Sequence, residues 1–311
     1  MKMTDSLIFA GTPPNAARTL EYLVQQGFEV SLVITRPDAP VGRKRVLTES
    51  AVAATAQKLG IDVYKTNSVD DAAIAKISQT GCETAVVVAY GALLKQPALD
   101  ALENGWFNVH YSLLPKWRGA APVQHAILAG DKSTGVTLFK IDQGLDSGPV
   151  VASVPTQIQP GETSERLLSR LTELGCTLLG QELPGILLKN HRLVVQDETT
   201  EVTAAPKLTR EHARIDWTEQ ARLIEQKVLA MNPEPGAWAL LNGETFKIHD
   251  ARVVASSENG PAGTVVAVDG KVIVSTGESF IELLEVQPAG KQSMSARDWA
   301  RGATLPVRFD A

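Results

Sequence analysis

Between residues 107 and 112 the chain reads Phe107-Asn108-Val109-His110-Tyr111-Ser112. Alternate side chains of an extended segment share a face, so Asn108, His110 and Ser112 point one way and Phe107, Val109 and Tyr111 the other. An amide, an imidazole and a hydroxyl on one face are groups that hold charge and move protons. Asn108 can donate an N–H to a developing oxyanion. Imidazole is the side chain that exchanges protons near neutral pH, which suits His110 to acid/base work. Asp142 and Asp146 bracket Gly144 in the turn after the apolar run 135–141. A carboxylate such as Asp146 can orient the imidazole and stabilise its protonated form. The residues alone thus describe an acid/base site and name no substrate.

These groups need elements to position them. Leu7-Ile8-Phe9-Ala10 closes on Gly11-Thr12-Pro13-Pro14, a buried strand and then a turn. Asn15 is placed to cap a helix carrying Leu20, Leu23 and Val24 on one face, with Gly27 past its end. Val30 to Thr35 reads as a strand, 36–48 as a polar loop, and the next helix ends at Leu59-Gly60. Asp62-Val63-Tyr64 is a brief strand, and 84–89 is an unbroken apolar one ending at Tyr90-Gly91. Strands without polar alternation are buried on both faces, as parallel strands between two helix layers are. Strand and helix patterns alternate to about residue 185, so the expected fold is α/β, a doubly wound, mostly parallel, Rossmann-like sheet. Ligands of such sheets bind beyond the carboxyl ends of the strands, where 90–91, 108–112 and 142–146 lie.

At 311 residues the chain exceeds what one core usually supports, and two domains are expected. The pattern changes between Arg192 and Trp217, which marks a linker. A helix is expected over 218–230, with Ala221, Ile224, Val228 and Leu229 apolar. Short β-rich runs follow at 237–241, 245–248, 252–255, 264–268, 271–275 and 280–286. Asn242-Gly243 and Asp269-Gly270 supply hairpin turns. A small OB-like barrel accommodates such strands. The expected boundaries are a catalytic domain over 1–190, a linker over 191–210 and a β-barrel domain over 211–311.

Several function classes are excluded or disfavoured. No Gly-x-Gly-x-x-Gly and no Gly-x-x-x-x-Gly-Lys-Ser/Thr occurs, against dinucleotide dehydrogenases and P-loop enzymes. Ser112 lies outside any Gly-x-Ser-x-Gly elbow. The five histidines lack HExxH spacing, and Cys82 and Cys176 lie far apart, so neither a metal site nor a disulfide framework is expected. Thirty basic against 35 acidic residues gives a formal charge of −5, with no global attraction to DNA, RNA or anionic membrane. The stretch from Met1 to Gly11 is no signal peptide, and no run approaches the roughly 18 apolar residues of a membrane span. A cytoplasmic location is expected.

The segment Asn108-Val109-His110-Tyr111-Ser112-Leu113-Leu114-Pro115-Lys116-Trp117-Arg118-Gly119-Ala120-Ala121-Pro122 closely resembles the folate-dependent formyltransferases. Asp142-x-Gly144-Leu145-Asp146-x-Gly148 resembles that family's second signature. Ala213-Arg214-Ile215-Asp216-Trp217, Asn232-Pro233 and Gln287-Pro288-Ala289-Gly290-Lys291 lie beyond the catalytic domain and favour the branch that acts on tRNA. The resemblance implies formyl transfer from 10-formyltetrahydrofolate to the α-amino group of methionyl initiator tRNA, with no metal. A formyltransferase acting on a sugar amine is the alternative. Carried over by motif, Asn108, His110 and Asp146 form the catalytic trio, while Ser112, Leu113, Leu114 and Pro115, with Tyr90 and Gly91, contact the folate. The basic loop holding Arg36, Arg43, Lys44 and Arg45 corresponds to the insertion that enters the tRNA acceptor arm. Lys207, with Arg210 and Arg214, is a second expected RNA contact, since phosphate binding needs local rather than net charge.

Overall fold

The computed structural model describes residues 6–42, 44–255 and 260–310. The chain divides into two compact units: residues 1–120, 133–157 and 168–205 form the first, and 121–132, 158–167 and 206–311 the second.

The first unit is built on β1 (Ser6–Gly11), α1 (Pro14–Gln25), β2 (Glu29–Thr35), β3 (Ala39–Val41), β4 (Val46–Thr48) and α2 (Ala51–Lys58). It continues through β5 (Val63–Lys65), α3 (Asp71–Thr80), β6 (Thr84–Val88), α4 (Gln96–Leu99) and β7 (Gly105–His110). Helix α5 (Pro122–Leu128) belongs to the second unit, and β8 (Ser133–Lys140), β9 (Val150–Gln157) and most of α6 (Ser164–Leu187) return to the first. One seven-stranded sheet runs in the order β5-β2-β1-β6-β7-β8-β9. Strands β5, β2, β1, β6 and β7 are mutually parallel, and β8 and β9 add antiparallel at one edge.

Both faces of this sheet are covered, which is why its central strands carry no polar alternation. Ile8 and Ala10 pack with Ile34, Ala85, Val87 and Trp106 against Ala73 and Ile77 of α3. Leu7 and Phe9, their alternates, are equally buried on the other face. There α6 approaches β7 closely: a Cβ on Gly175 would stand 3.0 Å from the Val109 side chain. Asn108 and His110 therefore sit on the face opposite Val109 and Tyr111, as the alternation requires.

Two local expectations are corrected. Asn15 is not a helix cap. Pro13 and Pro14 fix the backbone at the start of α1, the helix begins two residues before a cap at Asn15 would start it, and Asn15 instead donates to the Tyr111 hydroxyl at 3.1 Å. Residues 36–48 are not simply a polar loop, because β3 and β4 pair antiparallel from Ala39–Thr48 to Val41–Val46.

The second unit contains α7 (Ala221–Met231), β10 (Trp238–Leu241), β11 (Glu244–Val254), β12 (Thr264–Val268), β13 (Lys271–Ser275), β14 (Phe280–Gln287), β15 (Met294–Ser295), α8 (Ala296–Arg301) and β16 (Val307–Arg308). The strands form an antiparallel sheet in the order β10-β11-β14-β13-β12-β16. Val307 pairs with Val265 of β12, and three residues later Asp310 bridges Leu240 of β10. The terminal segment thus joins the two edges and nearly closes the barrel, leaving little unpaired edge. Ile224, Val228 and Met231 of α7 enter a core with Phe246, Ile248 and Ile281. The runs at 245–248 and 252–255, expected as two strands, are one strand whose register against β14 shifts on either side of Asp250. A bulge there interrupts the alternation without ending the pairing.

Candidate active site

Strand β7 ends at His110, and the chain leaves the sheet through a tight turn. Ser112 is fully buried, and its hydroxyl donates to the Lys116 carbonyl at 2.5 Å. Thr137 of β8 braces the same turn: its hydroxyl donates to Ser112 O at 2.7 Å and accepts from Leu114 N at 3.2 Å. Ser112 therefore closes the turn, and its hydroxyl is not presented beside Asn108 and His110. Leu113, Leu114 and Pro115 are half-buried along the turn.

His110 is 5% exposed and lies edge-on to Phe139. Its Nε2 stands 2.9 Å from the carbonyl oxygen of Trp117, whose φ of 63° aims that carbonyl back at the ring. A carbonyl only accepts, so Nε2 carries the proton, an assignment drawn from the bonding network. Nδ1 is then the nitrogen without a proton. It faces Asp146 Oδ2 at 3.7 Å, a charge contact longer than a direct hydrogen bond. The Asp146 carboxylate is held by Gly119 N, which donates to Oδ2 at 2.7 Å. Asn108, one pleat back on the same face, keeps its amide partly exposed. Imidazole and carboxylate thus come together at the carboxyl end of β7, with the amide on the same face of the strand.

The loop that carries Asp146 is set by its own residues. Asp142 Oδ1 accepts from Gly144 N at 3.0 Å and from Ser147 Oγ at 2.8 Å. Asp146 itself adopts φ 51°, and a Cβ on Gly148 would overlap the Lys140 carbonyl. Glycine at 148 is therefore required for the loop to return to β9.

Tyr90 is buried, with its hydroxyl donating to Thr66 O at 3.2 Å and its carbonyl accepting from Thr12 Oγ1 at 2.9 Å; burial raises the phenol pKa. Gly91 is exposed at φ 83°. Arg36 is tied to the same loop, donating to Gly91 O at 3.1 Å and Asn67 O at 3.3 Å. Lys44 and Arg45 lie exposed on the β3–β4 hairpin, while Arg43 lies outside the described residues. Lys207 is exposed in the second unit, where the Arg210 guanidinium stacks 4.7 Å above the Trp238 ring. Among the described residues, no group of three or more His, Cys, Asp or Glu is placed to hold a metal ion, and no helix is long and apolar enough to cross a membrane.

Sequence reasoning missed the residues that support the pair. Gln196, Thr203 and the backbone of Arg118 hold both loops, and nothing in the aperiodic run 191–205 marks them. Only the fold brings residue 196 to residue 146.

Family models match both parts of the chain. Residues 5–183 match the formyl transferase model, and 207–304 match the formyl transferase C-terminal domain. The chain belongs to the formyl transferase family. Among relatives of this formyl transferase, a methionyl-tRNA formyltransferase of Arthrobacter sp. (strain FB24) is 46% identical over 297 residues, 95% of this chain and 96% of that protein. Another, of Streptomyces coelicolor, is 44% identical over 301 residues, covering 96% and 97%. Solved structures share the fold at low identity. The N-formyltransferase of Helicobacter canadensis, in complex with folinic acid and dTDP-3-aminofucose, has a TM-score of 0.66 at 19% identity, covering 91% of this chain and 98% of that one. HypX of Aquifex aeolicus with tetrahydrofolic acid has a TM-score of 0.66 at 16% identity over 98% of this chain and 50% of its own.

Proposed function

We propose that this formyl transferase moves the formyl group of 10-formyltetrahydrofolate to the α-amino group of methionyl initiator tRNA, in the bacterial cytoplasm. The observation that carries the chemistry is the pinned ring: His110 Nε2 on Trp117 O leaves Nδ1 toward Asp146, with Asn108 on the same face. The choice of acceptor is supported by relatives of that name at 42–46% identity over nearly the full chain.

The reaction needs an uncharged amine. Its nitrogen attacks the formyl carbon, a C–N bond forms, and the carbonyl oxygen becomes an oxyanion. Asn108 donates its amide N–H to that oxygen, and protonated His110 adds positive charge beside it. Collapse breaks the bond from the formyl carbon to N10 of the donor. The attacking nitrogen loses a proton and N10 gains one. His110 Nδ1 and Asp146 stand where such a proton can be held in transit. Asp146 also offsets the charge of the imidazolium. The half-buried turn 113–115 and the exposed loop at Gly91 flank the strand end, where the folate is expected to lie. Lys44 and Arg45, with Arg43 and Lys207, offer positive charge to tRNA phosphates.

The test is formyl transfer from 10-formyltetrahydrofolate with methionyl initiator tRNA, uncharged tRNA and a panel of amino sugars offered in parallel. Formylation confined to the charged tRNA is the expected result. Transfer to an amino sugar with the charged tRNA ignored would keep the chemistry and overturn the acceptor.

A further inference from the structure

The two groups that fix the His110–Asp146 pair are backbone atoms of neighbouring residues: Trp117 O holds the ring and Gly119 N holds the carboxylate. Arg118 lies between them, and the Trp117–Arg118 stretch is held by three hydrogen bonds. The Arg118 N–H donates to Thr203 O at 2.9 Å, its carbonyl accepts from Ala205 N at 2.7 Å, and the Thr203 hydroxyl accepts from Trp117 N at 2.8 Å. Residues 117–119 thus run as a short parallel ladder beside 203–205, with Arg118 bridging Ala204. The approach is close enough that a Cβ on Gly119 would sit 2.6 Å from Ala205 O.

Gln196 ties this ladder to the loop of Asp146. Its amide group donates to Asp146 O and Gly148 O, both at 2.8 Å. Its Oε1 accepts from Arg118 Nε at 3.2 Å and Nη2 at 2.7 Å. All four of its hydrogen-bonding positions are filled, and the side chain is 7% exposed. A buried amide with each lone pair and each proton spent on one of two facing loops has a single geometry, and so do the loops. The segment is anchored upstream as well, where Val194 exchanges backbone bonds with Val150 at the start of β9.

We infer that residues 194–205 form a strap that positions His110 and Asp146, with Gln196 and Thr203 as its positioning residues. The inference rests on the proposed roles of that pair. Neither residue touches the reacting atoms. Thr203 sets where the Trp117 carbonyl stands, and hence which ring nitrogen of His110 is protonated. Gln196 sets the distance between the carboxylate loop and the ladder.

Two substitutions remove these contacts at nearly constant volume: Gln196→Met deletes all four bonds, and Thr203→Val deletes the acceptor for Trp117 N. Displacements of about an ångström cost about 10- to 100-fold in turnover, so both variants are expected to lose kcat by that factor with KM for both substrates within about two-fold. Thr203→Ser keeps the hydroxyl and is expected to restore the parent's kcat. The second readout needs no substrate. In the full-length protein with 15N-labelled histidine, the ring resonances of His110 report the protonated nitrogen. The parent is expected to show Nε2–H, and Thr203→Val a mixture of both tautomers. Parent-like ring resonances in Thr203→Val, or parent-like kcat in both variants, would overturn the strap. A parent enzyme that ignores methionyl-tRNA would instead overturn the proposed acceptor, and the ring resonances would still decide the strap.

Discussion

Two loops leave the carboxyl ends of parallel strands in the first unit, and they are built in opposite ways. The one after β7 is largely half-buried, with its polar atoms tied to Thr137, Asp146 and the 194–205 segment. The hairpin after β2 is held by its own short ladder and exposes Val41, Val46 and Leu47 at 56%, 59% and 68% beside Lys44 and Arg45. A site that stabilises a developing charge must hold its dipoles in place beforehand, because reorganising them during reaction costs the barrier what they would gain. A surface that grips a flexible polyanion gains from charge and reach and needs no such precision. The difference fits the proposed division, with chemistry at the first loop and RNA contact at the second.

That division can be broken by substitution. The largest effects belong to the strand end: Asn108→Ala, His110→Ala and Asp146→Ala are each expected to lower kcat by about 10²- to 10⁴-fold, as removing one acid/base or oxyanion group does. Affinity for methionyl-tRNA, measured by filter binding, should stay near the parent's. The hairpin should behave inversely. Lys44→Ala together with Arg45→Ala is expected to weaken tRNA binding by about ten-fold and to flatten its salt dependence, since fewer counterions are released. Their kcat at saturating tRNA should be unchanged, and a large loss of kcat with parent-like binding would erase the distinction.

The smallest expected effect lies outside both loops and serves as a control. Asp250 sits at the bulge of β11, desolvated and opposite Glu285 of β14, and both influences raise its pKa. A carboxyl whose pKa is raised on folding favours the folded state only while protonated, so that contribution is lost as pH rises through the folded pKa. Asp250→Asn should therefore melt higher than the parent at pH 7, and the advantage should vanish in the acid range. Thermal unfolding at several pH values checks the sign, and formylation should be unaffected.

How far the sequence disclosed this arrangement depends on the range of the interaction. Apolar runs such as 7–10 and 84–88 could be read as strands because burial on both faces leaves a mark on each residue. The alternation at 107–112 placed Asn108 and His110 correctly, yet Ser112 lies beyond the last strand residue, where its hydroxyl serves the turn. Asn15 has the side chain of a cap, but the two prolines before it had already fixed the start of the helix. The hairpin within 36–48 has few buried residues, so hydrophobic pattern could not reveal it. Gln196 and Thr203 were illegible for a different reason. Their partners are 48 to 86 residues away in the chain, and a polar residue satisfied at long range looks like any residue of a linker.

The most direct test compares His110→Ala with the Lys44→Ala, Arg45→Ala double variant in single-turnover formylation of methionyl initiator tRNA, with enzyme concentration raised to saturation. The double variant is expected to regain the parent's rate as enzyme is added, whereas His110→Ala is expected to stay slow by about 10²- to 10⁴-fold at every concentration. Recovery of His110→Ala at high enzyme, or a double variant that stays slow, would contradict the proposed division.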